Sequence, residues 1–267
     1  MTAYGSWEID LNADGGPNPG GYISAASVQP AFFNFFDGTQ AKTVRNLALG
    51  GVTPTLIGSP TYTPGVSGTS PGYASFNSAS SGLNTNVTET IDTPSTGGAL
   101  TVMVALRAEG AIPTSGLSNN VLIFGDNDAA AGYAVQANFG NSGGNIGVAF
   151  APSFETTLKF MTLTNAQMQA WGLYMFQYSV GGGVSAVNMQ ALTAGVSATP
   201  YAGTDAVPSK TPAPITFGES IQSAFLGMTG IGDFFCGGIW TSYLSASDIA
   251  AVAAQIRNRA TQYGITL

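Results

Sequence analysis

The chain has 267 residues, 44% hydrophobic and only 8% charged, with 36 Gly and 14 Pro among a polar complement of Ser, Thr, Asn and Gln. A net charge of −7, a pI near 4.2 and seven basic residues scattered along the sequence exclude a nucleic-acid surface, which needs clustered Lys and Arg. Histidine is absent and Cys236 is the single cysteine, so Ser-His-Asp triads, Cys-His dyads, His-ligated zinc and intrachain disulfides are excluded.

Residues 1–29 are rich in Gly, Pro and Asn and lack sustained periodicity, which predicts an extended arm or attachment segment. The opening MTAYGSWEID has neither a basic nor an apolar region of signal-peptide type, and no apolar stretch is free enough of Gly to span a bilayer. A sandwich is expected over 30–267, starting at the aromatic run AFFNFF. Candidate strands then arrive at short intervals: Val52–Ile57, Tyr73–Phe76, Leu100–Arg107, Val121–Phe124, Gly132–Asn138 and Ile146–Phe150. They continue with Thr157–Met161, Trp171–Val180, Val184–Leu192, Ile215–Gly218 and Ile231–Tyr243. Thr164 and Gln167 suit a capped single helical turn before Trp171, where Gly172 and the aromatics after it favour a strand. TVMVAL and WGLYMFQYSV barely alternate, so each should be covered on both faces or meet another subunit. Gly181 to Gly183 reads as a hairpin turn. Near the end, Ser245 and Asp248 form a capping box for a helix with Ile249, Val252, Ile256 and Tyr263 on one stripe. Arg257 and Arg259 suit its C-terminal dipole, and Gly264 its left-handed stop. The fold class expected is all-β, a sandwich with one C-terminal α-helix.

The order AFFNFFDGT, NLALGG, LIGSPTY, YASFNSASSGLNT, LTVMVALRA, VLIFGDN, WGLYMFQYSVGGG and VSAVNMQAL, closed by ITFGES through LSASDI to the end, resembles the laminin-G-like or concanavalin A-like jelly-roll family. The resemblance covers roughly residues 30–267 and rests on the order of short, degenerate pieces. The Gly-, Ser-, Thr- and Ala-rich style also resembles structural proteins of tailed bacteriophages and prophages.

Binding candidates gather around the strand end FGDNDAAAGY. Asp126 and Asp128, with Asn127 between them, supply hard oxygen ligands suited to calcium; the same residues also suit a plain turn. The family resemblance implies calcium at such a loop, near the ligand site. A sugar surface needs exposed aromatics for apolar C–H faces and Asn or Asp oxygens for hydroxyls. Tyr133, Tyr174, Tyr178, Tyr201 and Trp240 are candidates, with Asn127, Asn138 and Asn141 beside them, and each aromatic suits core packing more readily than sugar stacking. The ligand set expected is Asp126, Asn127, Asp128, Tyr133, Asn138 and Tyr201. Glu8, Asp10 and Asp14 resemble the acidic strand of laminarinase-type jelly-roll hydrolases, but lie before the sandwich and with the third acid displaced. The Cys236 thiol in FFCGG reads as a buried, inert group. Together the resemblances imply a non-catalytic virion protein, an adhesin or decoration on the particle surface or tail, assembled in the host cytoplasm. Its expected partners are host-surface polysaccharide, other virion proteins through the arm, and two further copies of itself in a homotrimer. Structural cement without sugar binding, and a polysaccharide hydrolase, are the competing readings.

Overall fold

The computed structural model describes residues 24–88, 98–126, 135–151, 159–181, 184–203, 213–219 and 227–267. In chain order these form β1 (Phe32–Phe35), α1 (Gln40–Thr43), β2 (Thr55–Ile57), β3 (Thr61–Thr63), β4 (Tyr73–Asn77), β5 (Gly82–Thr88), β6 (Gly98–Ala108) and β7 (Val121–Asp126). Then come β8 (Gln136–Ser142), β9 (Asn145–Ala151), β10 (Lys159–Thr162), α2 (Asn165–Gln169), β11 (Gly172–Gly181) and β12 (Val184–Ala191). The last elements are β13 (Val196–Ser197), β14 (Tyr201–Gly203), β15 (Pro214–Phe217), β16 (Ile231–Trp240) and α3 (Ala246–Thr261).

Among the described residues two antiparallel sheets face each other. The nine-stranded sheet runs β13-β12-β11-β6-β16-β4-β3, with β1 also on β16 and β14 also on β12; the seven-stranded sheet runs β10-β9-β8-β7-β15-β5-β2. One edge of β16 serves two strands in succession: Ile231–Phe234 pair with β4, and Cys236–Ile239 pair with β1. β16 stops at Trp240, three residues short of the Tyr243 expected, because the chain turns there into the helix cap. Gly181 pairs with Val184 across β11 and β12, as the hairpin reading requires.

The strands that barely alternate are covered on both sides, as their sequence demands. In β6, Leu100, Val102, Val104 and Leu106 face the opposite sheet, while Met103 and Ala105 point outward. In β11, Tyr174, Phe176 and Tyr178 point inward, and Leu173 and Met175 outward. The outward residues meet α3, whose Ile249, Val252, Ala253, Ile256 and Ala260 are buried. The cover is therefore a segment of the same chain. A bulge between Phe234 and Cys236 shifts the parity of β16, so Phe235 and Cys236 both join the outer layer.

α3 starts where the sequence predicts. The Ser245 hydroxyl accepts from the Asp248 amide at 3.1 Å, and the Asp248 carboxylate accepts from the Ser245 amide at 3.4 Å. Thr164 and Gln167 close a second capping box on α2, directly before β11. The turn between β16 and α3 is held by a buried polar knot. Thr101 Oγ1 donates to the Ser242 carbonyl at 2.7 Å and accepts from the Leu244 amide at 3.2 Å, and Gln177 Nε2 donates to the Leu244 carbonyl at 2.9 Å. Gly264 takes φ +73° after the helix. Arg257 serves the chain end directly, donating to the carbonyls of Leu267 at 2.8 Å and Leu192 at 3.1 Å. Ser24–Gln29, grouped by composition with the arm, are docked against this layer. The Ser27 amide donates to Asp248 at 2.7 Å, the Ala25 amide to Gln255 at 2.8 Å, and Trp240 Nε1 to the Val28 carbonyl at 3.2 Å. No helix among the described residues is long and apolar enough to cross a membrane.

Candidate functional site

The residues expected to bind ligand fall in different parts of the sandwich. Asn127, Asp128 and Tyr133, with the expected calcium loop and the acids Glu8, Asp10 and Asp14, lie outside the described residues. Asp126 ends β7 and is buried, its amide donating to the Val135 carbonyl at 3.0 Å. Asn138 is buried on β8 and accepts from Gln136 Nε2 at 3.2 Å. Tyr201 belongs to the other sheet, half-buried on β14, with the Lys159 ammonium 3.8 Å from its ring centre. That contact joins β10 of one sheet to β14 of the other. Tyr174, Tyr178 and Trp240 are core residues, 2%, 0% and 0% exposed. Cys236 is fully buried with its thiol pushed up to about 12 by desolvation, as an inert role requires.

Two buried aspartates with basic neighbours, Asp233 and Asp37, lie along the nine-stranded sheet and its helix. The first, Asp233, is fully buried on β16, accepting from Ser75 Oγ at 2.7 Å and from Arg107 Nε at 2.9 Å. Arg107 in turn lies against the rings of Trp171, at 4.9 Å, and Tyr73, at 5.5 Å. Glu109 beside it holds its proton more tightly than usual, because of desolvation and the neighbouring Asp233 charge. Both Asp233 oxygens are thus engaged and both rings are covered by Arg107. The arrangement is a cross-strand clamp joining β4, β6 and β16.

The cluster around the second, Asp37, is open. β1 leads into the turn Asp37–Gly38, where both residues have positive φ, 43° and 70°. Asp in the left-handed region is tolerated because its short polar side chain suits such turns, and Gly38 follows at no steric cost. Gly72 packs its backbone onto that of Asp37, where a Cβ would collide. This packing buries Asp37 and leaves its side chain 3% exposed. Thr39 then caps α1, its hydroxyl accepting from the Lys42 amide at 3.3 Å, which brings Lys42 and Arg45 round toward the carboxylate. The last turn of α3 and the residues just after it supply Arg259, Gln262 and Tyr263 from the opposite side. Arg259 donates to Gln262 Oε1 at 2.7 Å and to the Tyr263 hydroxyl at 2.9 Å, with its guanidinium carbon 5.0 Å from the Tyr263 ring and 5.9 Å from the Phe35 ring.

Between these elements is a pocket of about 310 Å³, lined by Asp37, Thr39, Lys42, Arg259, Gln262 and Tyr263, with Pro64, Gly65, Ser67 and Gly72 on its loop side. Neither Asp37 oxygen accepts a hydrogen bond, and Arg45 Nη2 and Arg259 Nε also lack hydrogen-bond partners. The nearest guanidinium nitrogens, Arg45 Nη2 and Arg259 Nη2, both stand 3.9 Å from Asp37 Oδ2, beyond hydrogen-bond length. Burial raises the Asp37 carboxyl above its ordinary range despite the opposing pull of Arg259, Lys42 and Arg45.

The basic residues read as scattered in the sequence are therefore gathered: three of the seven face one carboxylate. None of Asp37, Lys42, Arg45, Arg259 or Tyr263 was expected as a ligand residue. A signal was present, since DGTQAKTVR concentrates three charges in a chain with 8% charged residues. Its partner Arg259 had an adequate local reason to exist at a helix C-terminus, which concealed the pairing.

No family model matches the chain, and no curated protein matches it either. Solved structures do share its fold. A botulinum neurotoxin type C structure, described for cell entry dependent on two ganglioside molecules, superposes with TM-score 0.51 at 10% identity, over 78% of this chain and 48% of that one. The binding domain of botulinum neurotoxin DC in complex with rat synaptotagmin II gives TM-score 0.53 at 9% identity, over 85% and 52%. The serotype D/C VPI 5993 binding domain gives 0.52 at 10% identity, over 85% and 52%. The chain spans about half the length of these structures. The fold is thus the expected one, an all-β jelly-roll β-sandwich closed by a C-terminal α-helix.

Proposed function

We propose that this chain is a non-catalytic, lectin-like module that binds glycan on a host surface as part of a bacteriophage virion. The observation that carries the glycan reading is the Asp37 pocket. It joins a buried carboxylate that accepts no hydrogen bond, two pocket-lining cations, an amide, hydroxyls and one half-buried tyrosine in a concave site. Polyhydroxylated rings use such donor and acceptor sets, and about 310 Å³ is near the lower end of ligand-pocket sizes, suited to one sugar unit. The jelly-roll neighbours support a binding role, since those structures are described by ganglioside and synaptotagmin interactions. The coupled carboxyls Asp233 and Glu109 support a non-catalytic reading because Asp233 is buried and sealed under Ser75 and Arg107.

The virion placement, with the arm of residues 1–29 contacting other particle proteins and a homotrimer, belongs to the same proposal and rests on the sequence style, while calcium near Asp126 and Asp128 rests on their oxygen ligands and the jelly-roll resemblance. A glycan array probed with the purified chain and with Asp37→Asn tests the reading: saccharide binding by the first and its loss in the second is expected. Firm association with particles and no affinity for any host polysaccharide would favour structural cement. Native mass measurement decides the trimer, a monomer refuting it. Calorimetric titration with calcium, without effect on stability or glycan binding, would remove the metal.

A further inference from the structure

Resting on the reading that this pocket holds a sugar, we infer that it selects a carboxylate-bearing sugar residue, with Asp37 taking a ring hydroxyl and Lys42 and Arg259 taking the acid group. Two requirements of the pocket point in different directions and are met together by few ligands. The Asp37 carboxylate is almost wholly buried and accepts no hydrogen bond, so it needs a donor. Lys42 and Arg259, lining the same cavity with Arg45 behind the carboxylate, leave the group with an excess of two positive charges when Asp37 is ionised, in a protein of net charge −7. That excess favours an anion.

A bare inorganic anion such as chloride or sulfate satisfies the second requirement and violates the first, because it brings no donor and is repelled by Asp37. A neutral sugar satisfies the first and leaves the cations unused. A hydroxy acid built on a ring satisfies both, its hydroxyl and carboxylate being held apart by the ring. Arg259 is already oriented for this by Gln262, Tyr263 and Phe35, so little conformational entropy is lost when it engages. Lys42 is half-buried and its ammonium is the adaptable member of the set.

The test measures binding of the full chain to a panel of uronate-containing and sialylated oligosaccharides, each beside its carboxyl-reduced form, at low and moderate salt. The acidic forms are expected to bind at least about tenfold more tightly, the scale of one charge-assisted hydrogen bond. Added salt should weaken the acidic forms and leave the reduced forms unchanged. Lys42→Gln should close much of the gap without changing the melting temperature, and Asp37→Asn should weaken both forms. Equal binding of acidic and reduced forms, or binding by neutral glycans alone, overturns the acid selectivity while leaving the glycan reading in place. Competition by inorganic phosphate as strong as that by the acidic sugars also overturns it, marking a plain anion site. Absence of binding to every member of the panel and to the broader array overturns the glycan reading itself.

Discussion

The protein has two apolar layers that share one sheet and differ in how they are built. The inner layer draws on both sheets and is held by phenylalanines from many strands. Phe36, Phe76, Phe217 and Phe234 alone make five ring contacts with centroids 5.0–6.3 Å apart. The outer layer has one face of the same sheet on one side and the single helix α3, with the preceding Ser24–Gln29 segment, on the other. Redundancy distinguishes them. An inner ring has neighbours from several elements, whereas the outer layer, beyond ring contacts of its own such as Phe33–Trp240 and Phe35–Phe235, is covered by α3. The candidate site spans the margin of the dependent layer, since Asp37 follows β1, Arg259 comes from the helix and Tyr263 from the residues just after it.

The largest expected effect is in the inner layer. Phe234→Ala leaves a cavity among Phe36, Phe76 and Phe217 and should cost about 3–5 kcal/mol, read from denaturant midpoints. Next, Ile256→Ala removes a fully buried side chain from α3 and should cost about 2–3 kcal/mol, because the helix can settle toward the sheet. It should also weaken ligand binding at the pocket and red-shift the fluorescence of Trp240, which Phe234→Ala would not do selectively. If the two variants proved indistinguishable in fluorescence and binding, the layers would be one cooperative unit.

Ser245→Ala removes the N-cap of α3 and should cost about 1 kcal/mol. The smallest effects are electrostatic, and two carboxylates give opposite signs. Asp248 accepts from Ser27 and Ser245, which lowers its pKa. Its contribution is therefore present above the ordinary carboxylate value and is lost as pH falls through the lowered folded value. Asp37 has a raised pKa, so its burial is unopposed when protonated. Its contribution declines as pH rises from the ordinary value to the raised folded one. Asp37→Asn should consequently melt slightly above the parent at pH 7, with the gap closing in acid, while Asp248→Asn should flatten the acid loss of stability. A lower melting temperature for Asp37→Asn at pH 7 would mean that the three cations need the charge for stability.

The sequence made the dependent layer more legible than the site. Ser245, Asp248 and the apolar stripe of α3 are local signals, three to four residues apart, and each is realised. The near-continuous apolar runs of β6 and β11 implied two covered faces, and the helix that covers one was legible too. β5 does not stand out in the sequence because its buried positions Leu83, Thr85 and Val87 alternate through a threonine, and Asn86, at φ 57°, sits at an irregularity in its pairing with β15. Thr85 is buried at no cost in hydrogen bonding, donating to the Ile215 carbonyl at 2.7 Å. The pocket was not legible because it forms between the start of the sandwich and the end of the chain. Pairing at that range follows from strand order, which periodicity does not encode.

The hook between Ser27 and Asp248 has a mechanical consequence. It grips Asp248 in the first turn of α3, while Arg259 faces the pocket from the last, so roughly 16 Å of helix separates the two. Tension between a tethered N-terminal segment and a captured saccharide would run along the helix axis, in line with the hydrogen bonds of its backbone. A rod pulled lengthwise resists as a whole, whereas the same rod peeled from one end would give way a turn at a time.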